Sequence, residues 1–309
     1  DCTVQRRNQK VVERAPAPYV DQAQRESLCA AALRLCNSVG YSHAGTVEFL
    51  MDADTGHFYF IEVNPRIQVE HTVTEMVTGV DLVAAQIRVS EGATIGDAGL
   101  PKQQDLRLSG HALQCRVTTE DPENGFTPDH GRVTAYRSPA GFGIRLDGGT
   151  VYSNAVVTPH YDSLLVKVTA WAPEANVAIR RMDRALREFR IRGVSTNLQF
   201  LENVIAHPLF ANGEATTRFI DTTPELFRFT ARLDRATKMM SFIGEVVVNG
   251  NPDMKGRAKP TAAMPASLLP RTDLATPIPT GLRDLLNAQV AKDLSDWIKV
   301  QPQVLLTDT

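Results

Sequence analysis

The chain lacks the features that would point to a membrane, a nucleic acid or an oxidising compartment. No apolar run approaches the ~18 residues that a membrane span requires. The net charge of −2 leaves no excess of basic residues, so we expect neither nucleic acid nor an anionic membrane among the partners. The four cysteines form no Cys-x-x-Cys pair, which indicates free thiols in a reducing compartment.

The composition is that of an ordinary globular protein, and the first residue is not methionine. The 309 residues allow two domains, and apolar and charged contents of 43% and 22% are typical of globular proteins. The first residue is Asp1 rather than Met, so we expect that the true amino terminus is missing.

Periodicity and capping residues predict the secondary structure. Asp21 can cap a helix at 21–39, whose apolar stripe is Leu28, Ala32, Leu35 and Val39. Further helices are predicted at 82–91, 174–189 and 198–206, the last capped by Thr196 or Asn197, and strands at 111–117, 131–137, 143–147 and 164–170. Strand runs followed by helix runs indicate an α+β domain.

The carboxyl-terminal part has a different character. Residues 239–248 are compatible with a helix or a strand. Residues 249–281 contain six prolines and no aromatic residue, which predicts a linker. Residues 282–297 carry an apolar stripe at helical spacing, and 303–307 resemble the start of a strand.

Residues 61–71, with the sequence IEVNPRIQVEH, form the most informative stretch. Alternate side chains share a face in extended backbone, so Glu62 and Asn64 point the same way. After Pro65 we expect the alternation to resume with three more polar residues, Arg66, Gln68 and Glu70. A surface strand does not need so much patterned polarity, whereas a site that holds a cation and an anion together does.

A predicted hairpin precedes this stretch. The β-rich runs 45–51 and 57–63 flank a turn at 52–56, which places Glu48 opposite Glu62. Like charges opposite each other are destabilising, and a divalent cation between them would reverse that effect. Oxygen ligands favour Mg²⁺ or Mn²⁺, and Mg²⁺ commonly binds substrate phosphates as well, so a nucleotide is implied. The alternative interpretation is a solvated hairpin face.

Several motifs resemble those of a known family. Residues 48–50 and 60–71 resemble the metal and bicarbonate site of biotin carboxylases, which are ATP-grasp enzymes. Residues 1–13 are similar to the segment that precedes this site. Residues 110–117 and 120–122 are similar to the carboxyl-terminal domain of the same family.

The resemblance extends to about Thr223 and implies an α+β fold with four parts. They are the carboxyl-terminal half of an ATP-grasp domain at 1–95, a biotin carboxylase C-terminal domain at 105–223, a Pro-rich linker or allosteric-type segment with a helix at 224–302, and the start of a carboxyltransferase domain at 303–309.

The resemblance also implies a reaction. ATP phosphorylates bicarbonate to carboxyphosphate, which breaks down to carbon dioxide and phosphate. The N1 atom of biotin, carried on a domain outside this chain, then captures the carbon dioxide. ATP, Mg²⁺ or Mn²⁺, biotin, bicarbonate and a biotinylated carrier domain are therefore the expected cofactors and partners.

The resemblance assigns roles residue by residue. The metal ligands would be Glu48, Glu62 and Asn64, and the bicarbonate contacts Lys10, Arg66, Gln68 and the backbone N–H of Val69. The catalytic groups would be Arg66, the general base Glu70, and Arg116, which stabilises biotin after N1 loses its proton. The nucleotide contacts would be Gln5, Leu50 and Asn8, where many relatives carry His.

Physical arguments support some of these roles. The planar guanidinium of Arg66 matches the planar bicarbonate, and its charge would keep Glu70 ionised. For Arg116 the alternative is a structural ion pair, for instance with Glu120.

Beyond Thr223 the chain resembles the multidomain family members that carboxylate pyruvate. Such members are commonly activated by acetyl-CoA, and Arg190 and Arg235 match arginines of that effector site. Resemblance suggests a homo-oligomer, tetrameric in the full-length enzyme, in the bacterial cytoplasm or alternatively the mitochondrial matrix. The family's amino-terminal domain and lid would precede Asp1, so we expect the isolated chain to lack full activity.

Two alternatives stay open. The first is the biotin carboxylase of an acetyl-CoA or propionyl-CoA carboxylase, which would typically diverge after about Thr223. The second is a non-catalytic interaction scaffold derived from an ATP-grasp enzyme.

Overall fold

The structure, a computed structural model, describes residues 1–149, 151–230 and 235–249. Its internal contacts divide the chain into two units, Asp1–Ala231 and Arg232–Thr309. Every strand of the described residues lies in the first unit. In the described parts of both units, no helix is both long enough and apolar enough to cross a membrane.

The described strands of the first unit form one large sheet and four small ones. They are β1 (Val4–Arg6), β2 (Gln9–Ala15), β3 (Thr46–Met51), β4 (Phe58–Asn64), β5 (His111–Thr118), β6 (Glu120–Asp121), β7 (Thr127–Pro128), β8 (Gly131–Arg132), β9 (Ala135–Arg137), β10 (Ile144–Gly148), β11 (Val156–Val157), β12 (Leu164–Ala172) and β13 (Arg190–Arg192). The large sheet is antiparallel, in the order β1-β2-β5-β12-β10. The two-stranded sheets are β3–β4, β6–β7, β8–β11 and β9–β13.

Among the described helices of the first unit, two are long and five span only four to nine residues. They are α1 (Gln22–Ser38), α2 (His71–Thr78), α3 (Leu82–Ser90), α4 (Ala175–Glu188), α5 (Leu198–Ala206), α6 (Pro208–Ala211) and α7 (Phe219–Thr222). Three 3₁₀ turns lie at Gln103–Asp105, Pro122–Asn124 and Pro224–Phe227. The second unit contributes α8 (Arg235–Asn249).

One face of the large sheet packs on the main hydrophobic core, and the other, called its polar face, carries polar side chains beside a small apolar cluster of Val73, Val77 and Ala112. On β5, Leu113, Cys115 and Val117 belong to the main hydrophobic core, against which α4 and α5 pack. Because successive side chains of a strand point to opposite faces, Gln114 and Arg116 lie on the other face, which α2 contacts. The polar face of the sheet is therefore available to build a site without disturbing the core.

The helix α1 and the hairpin β3–β4 are covered less than the large sheet. Asp21 caps α1 by accepting from the Gln24 N–H, and the Gln24 side chain accepts from the Asp21 N–H in return. No residue of α1 is fully buried by the described residues, and of its predicted apolar stripe Leu28, Ala32 and Leu35 are half-buried while Val39 is exposed. On the hairpin, Leu50 and Tyr59 are similarly exposed.

Most predicted elements are present, and two need correction. The helices predicted at 21–39, 82–91, 174–189 and 198–206 correspond to α1, α3, α4 and α5. The single strand predicted at 131–137 is wrong. The Val133 N–H bonds to the Ala155 carbonyl and the Thr134 N–H to the Arg192 carbonyl, so the segment changes partners and splits into β8 and β9.

The second correction concerns the polar stretch. Extended backbone ends at Asn64, and residues 65–70 form bends and a turn that lead into α2. The helix α2 was not predicted, because it has eight residues and no side-chain cap, and its buried positions mix Thr72 and Glu75 with Val73 and Val77. Short helices with such a pattern give little periodic signal.

The second unit decides whether residues 239–248 form a helix or a strand. Residues 239–248 are helical and lie within α8. The linker predicted at 249–281 lies outside the described residues apart from Asn249, and so do the helix at 282–297 and the strand at 303–307. The predicted domain limits at 95, 105, 223 and 302 stay predictions.

Candidate active site

One cleft of about 370 Å³ in the first unit brings together most of the predicted site residues. It is lined by the hairpin β3–β4, the turn between β1 and β2, residues 65–70 and the polar face of the large sheet. The predicted residues that line it are Asn8, Lys10, Glu48, Glu62, Asn64, Arg66, Gln68, Val69, Glu70 and Arg116.

The hairpin holds two carboxylates opposite each other, as its turn predicted. Glu48 pairs with Glu62 in the register of β3 and β4. The Asn64 amide nitrogen donates to Glu62 Oε1 at 2.8 Å and to Glu48 Oε1 at 3.1 Å. The Gln68 amide nitrogen also donates to Glu48 Oε1, at 2.8 Å. Two amide groups therefore hold the facing carboxylates in place.

The donor atoms of the hairpin fit a hard divalent cation that also binds phosphate. Within the described residues no group of three or more His, Cys, Asp or Glu side chains is placed to hold a metal. Glu48 and Glu62 supply two carboxylates, and Asn64 has an amide oxygen. Mg²⁺ is usually held by one or two protein carboxylates together with substrate phosphates. The hairpin therefore suits a cation that arrives with a phosphate-bearing ligand.

Lys10 connects the hairpin to the start of α2. Its Nζ lies 2.6 Å from Glu48 Oε1 and 2.5 Å from Glu70 Oε1. Partial burial acts to lower the pKa of Lys10, but the hydrogen bonds to Glu48 and Glu70 outweigh it and the pKa is raised. Lys10 is therefore held as a cation between the two carboxylates.

Glu70 lies between two cations. Besides Lys10, Arg116 Nη2 approaches Glu70 Oε2 at 3.1 Å. Burial acts to raise the pKa of Glu70, yet the hydrogen bond and charge of Lys10, with the charge of Arg116, lower it overall. Glu70 is thus ionised near neutral pH and can accept a proton.

Arg116 is anchored by a carboxylate that the sequence reasoning missed. Its Nε and Nη2 lie 2.6 and 2.5 Å from Glu13 Oε1, and Glu13 is completely buried. Burial raises the pKa of Glu13, and the Arg116 charge acts against that rise. The alternative prediction, an ion pair between Arg116 and Glu120, is wrong, since the Glu120 carboxylate accepts hydrogen bonds from Thr118 and Ser163 instead.

Asn197 fixes the backbone of the same strand. Its side-chain amide accepts from the Thr118 N–H and donates to the Arg116 carbonyl, both at 2.9 Å. The prediction that Asn197 caps α5 is therefore wrong for its side chain, which makes no capping hydrogen bond. A tertiary contact to β5 uses the amide instead, and local sequence gives no sign of it.

Arg66 is not the partner of Glu70 that we expected. Its guanidinium is exposed, and its Nη1 donates to the neighbouring Ile67 carbonyl at 3.2 Å. The cations that act on Glu70 are Lys10 and Arg116. Arg66 lines the cleft with its fork exposed, so it is placed to receive an anion from solvent.

Gln68 and Val69 lie between the hairpin and the sheet. The side-chain oxygen Oε1 of Gln68 is buried without a hydrogen-bond partner, which is costly unless a ligand supplies a donor. The Val69 carbonyl accepts from Lys167 Nζ at 3.2 Å. Lys167 lies on β12, on the polar face of the large sheet, and its hydrogen bond holds the turn that contains Val69. The sequence alone did not predict this contact.

Of the predicted residues still to be described, Gln5, Leu50 and Arg190 do not line the cleft, whereas Asn8 does. Gln5 pairs with Lys10 across β1 and β2, and Leu50 is exposed on β3, so neither lines the cleft. Asn8 lines it from a left-handed turn with φ 63°. Arg190 is exposed on β13, and Arg235 begins α8 in the second unit. The roles of all these residues stay predictions.

Two family models match the chain in succession. The "Carbamoyl-phosphate synthase L chain, ATP binding domain" model matches residues 1–98. The "Biotin carboxylase C-terminal domain" model matches residues 114–222. Both matches fall in the first unit, which contains the cleft.

Similar proteins are known from sequence and from structure. Pyruvate carboxylase of Bacillus subtilis is 50% identical over the whole chain, which covers 27% of that protein. The crystal structure of the complete Rhizobium etli pyruvate carboxylase is 66% identical with a TM-score of 0.76, covering 86% of this chain and 25% of that one. The biotin carboxylase domain of Hydrogenobacter thermophilus 2-oxoglutarate carboxylase, in complex with MgADP, ADP and bicarbonate, is 42% identical with a TM-score of 0.71. It covers 75% of this chain and 50% of that one.

The chain has the fold of biotin carboxylase domains, with an ATP-grasp-type domain followed by a biotin carboxylase C-terminal domain. The resemblance and the fold class expected from the sequence are thus confirmed. Within that class, the chain is similar over its whole length to pyruvate carboxylases and matches only a part of them. It spans about a quarter of the length of the curated relatives that it matches.

Proposed function

We propose that this chain supplies the metal, bicarbonate and proton-transfer groups of a biotin carboxylase module within a pyruvate carboxylase. ATP would phosphorylate bicarbonate to carboxyphosphate, which decomposes to carbon dioxide and phosphate. Biotin, on a carrier domain outside this chain, would take up the carbon dioxide for transfer to pyruvate, giving oxaloacetate. The observation that carries the proposal is the single cleft in which Lys10, Glu70 and Arg116 join the hairpin carboxylates to the sheet.

The hairpin would hold the cation and the nucleotide phosphates. Glu48, Glu62 and Asn64 provide oxygen donors for Mg²⁺ or Mn²⁺, which would neutralise charge on the phosphates during transfer. Gln68 and Lys10 hold the Glu48 carboxylate on the cleft side of the hairpin through hydrogen bonds of 2.8 and 2.6 Å. Asn8, Gln5 and Leu50 are the proposed contacts to the nucleotide.

The turn after the hairpin would hold bicarbonate. The exposed guanidinium fork of Arg66 can bind two oxygens of a planar anion. The Val69 N–H and the side chains of Gln68 and Lys10 complete the proposed anion site. Lys10 supports this role because its charge lies at the junction between the metal carboxylates and Glu70.

Glu70 would be the general base. A base must be ionised at the operating pH and within hydrogen-bond reach of the proton that it removes. The lowered pKa of Glu70 meets the first condition. Its position beside Lys10, a proposed bicarbonate contact, supports the second.

Arg116 would stabilise negative charge on biotin. Its guanidinium is fixed by Glu13 and reaches the cleft beside Glu70. Removing a fixed donor of this kind from a reacting oxyanion typically costs about 3–4 kcal/mol. A fixed cation needs no rearrangement when the charge develops.

The remaining properties rest on similarity. We propose pyruvate as acceptor, rather than an acyl-CoA, because the similarity to pyruvate carboxylases covers the whole chain, including the part after Thr223. We further propose a homo-tetramer, a bacterial cytoplasmic location with the mitochondrial matrix as alternative, and an acetyl-CoA effector contact at Arg190 and Arg235. Full activity would require the rest of the enzyme.

The base is tested by Glu70→Gln in the intact carboxylase. Bicarbonate-dependent ATP cleavage should fall by at least about 100-fold, because proton transfer by a positioned base commonly contributes that much. Mg-nucleotide binding, measured by calorimetry, should be unchanged. Glu120→Gln is the matched control, since it changes a carboxylate of the same cleft that has no assigned role. Normal turnover of Glu70→Gln would remove Glu70 as the base.

A further inference from the structure

A closed ring of hydrogen bonds lies beneath the cleft. Thr72 Oγ1 donates to Gln114 Oε1, and Gln114 Nε2 donates to Glu13 Oε2 at 2.9 Å. Arg116 then donates to Glu13 Oε1 and to Glu70 Oε2. Glu70 directly precedes α2, which contains Thr72, so the chain itself closes the ring.

The strand register explains why Glu13 can serve both neighbours. Glu13 of β2 is paired with Gln114 of β5, and both side chains are completely buried on the same face. Arg116 is two positions further along β5, so it is the diagonal neighbour of Glu13. One carboxylate can therefore contact the amide opposite it and the guanidinium diagonal to it.

The direction of the hydrogen bonds requires two acceptors at residue 13. Glu13 accepts from Arg116 with one oxygen and from Gln114 with the other. An ionised carboxylate accepts on both oxygens without directing a proton at either donor. An amide in this position would set an N–H group against either Gln114 or Arg116.

Arg116 is held unequally by its two carboxylates. Its contacts to the buried Glu13 are 2.5 and 2.6 Å, whereas its contact to the partly exposed Glu70 is 3.1 Å. When Glu70 accepts a proton it loses its charge, and its attraction for Arg116 falls. Glu13 remains as the anchor that keeps the guanidinium in the cleft.

We propose that Glu13 is a positioning residue that keeps Arg116 in place while Glu70 changes its charge. This inference rests on the proposed function of Glu70 and Arg116. Glu13 itself does not touch substrate. It acts through Arg116, so its loss should affect the biotin step more than the cleavage of ATP.

The test uses Glu13→Gln in the intact carboxylase with free biotin as the acceptor. The kcat for biotin carboxylation should fall about 10- to 100-fold, as expected when a catalytic group is misplaced by about 1 Å. The KM for ATP should be unchanged. Bicarbonate-dependent ATP cleavage without biotin should fall much less, so more ATP is cleaved for each biotin carboxylated.

A double exchange separates charge from packing. In Glu13→Gln with Gln114→Glu, the number of hydrogen bonds can be restored while the carboxylate moves across the strand pair, from β2 to β5, and no longer faces Arg116 from position 13. Thermal stability should recover towards that of the unchanged protein, but the biotin step should not. Recovery of the biotin step in this variant would overturn the proposal, because the position of the charge would then be irrelevant.

Thr169→Val is the matched control for the loss of a buried polar group. Thr169 is as buried as Glu13 and bonds Thr72 at 2.8 Å, but it lies outside the ring. It should leave the ratio of ATP cleaved to biotin carboxylated unchanged. An equal loss in Thr169→Val and Glu13→Gln would contradict the proposal.

The remaining outcomes are also decisive. If Glu13→Gln does not fold, the double exchange carries the test, and a normal biotin step in it overturns the proposal. If Glu13→Gln is as active as the unchanged protein, the inference fails while the proposed function stands. Failure of the proposed function shows differently, as normal bicarbonate-dependent ATP cleavage in Glu70→Gln.

Discussion

The chain places carboxylates on two sheets that differ in almost every physical respect. Glu48 and Glu62 lie on a two-stranded hairpin, face each other and remain accessible from the cleft. Glu13 lies inside a five-stranded sheet and is completely buried beneath α2 and the cleft. The comparison separates groups that can exchange partners with ligands from a group whose partners are fixed before any ligand arrives.

The two environments should respond differently to mutation. Exposed ion pairs contribute about 0–1 kcal/mol, because water solvates either partner after the other is removed. A buried carboxylate that loses its cation is left unsolvated and costs about 3–5 kcal/mol. Stability measurements on the two sheets therefore test whether the distinction is real.

The largest effect is expected for Arg116→Met. Glu13 would remain buried without its cation, and the free energy of unfolding should fall by about 3–5 kcal/mol at neutral pH. Urea unfolding followed by tryptophan fluorescence in a Trp297→Phe background, which leaves Trp171 on the neighbouring strand β12 as the reporter, measures it. Burial already raises the pKa of Glu13 and removal of the cation raises it further, so protonation relieves the cost and the loss should shrink as the pH falls.

The control for this prediction is Arg145→Met. Arg145 also pairs with two carboxylates, but Asp147 is 25% exposed and Glu75 keeps a hydrogen bond from the Leu82 N–H, whereas Glu13 is completely buried. Its loss should therefore be smaller than that of Arg116. Equal losses would mean that burial does not distinguish the two sites.

An intermediate effect is expected for Lys10→Met, at the junction of the two regions. Hydrogen bonds to charged groups contribute about 1.5–3 kcal/mol, and partial exposure places this loss at about 1–2 kcal/mol. The pKa of Glu70 is lowered below its ordinary value of 4.5, so its share of the stability is present above that value and is lost as pH falls through the lowered pKa. Unfolding free energies of both proteins, compared across pH, should therefore converge in acid.

The same comparison has an upper limit in pH. The pKa of Lys10 is raised above its ordinary value of 10.5, so its contribution is present below that value and lost as pH rises through the raised pKa. A difference that is independent of pH would contradict the ionic contacts assigned to Lys10.

The smallest effect on stability is expected for Glu62→Gln. Glu62 is exposed and faces the like charge of Glu48, so its neutralisation should change the free energy of unfolding by less than about 0.5 kcal/mol. Binding of nucleotide in the presence of Mg²⁺ should nevertheless weaken. A large loss of stability with unchanged nucleotide binding would place Glu62 in a structural role.

The hairpin could be predicted from the sequence because its signals are local. A turn-forming segment between two β-rich runs determines the register, and the register places Glu48 opposite Glu62. Helices with strong caps, such as the one begun by Asp21, were recognised for the same reason. The fold class followed from the order of these elements together with the family motifs.

The interior of the site could not be predicted in this way. Glu13 contacts Arg116 across 103 residues of sequence, and Asn197 contacts it across 81. Such partners depend on which strands pair, and a single sequence read locally does not contain that information. The assignment of Arg66 as the partner of Glu70 failed similarly, because the chain bends after Asn64 and turns the guanidinium outward.

The strand β5 serves the core and the cleft with alternate residues. Cys115 and Val117 contribute to the core, while Gln114 and Arg116 belong to the polar face. Deleting one residue before Gln114 would exchange these two sets and bury a guanidinium among aliphatic side chains. Natural length variation and engineered insertions should therefore be tolerated in the exposed segment before β5, and excluded from the strand and from the buried Thr119 that follows it.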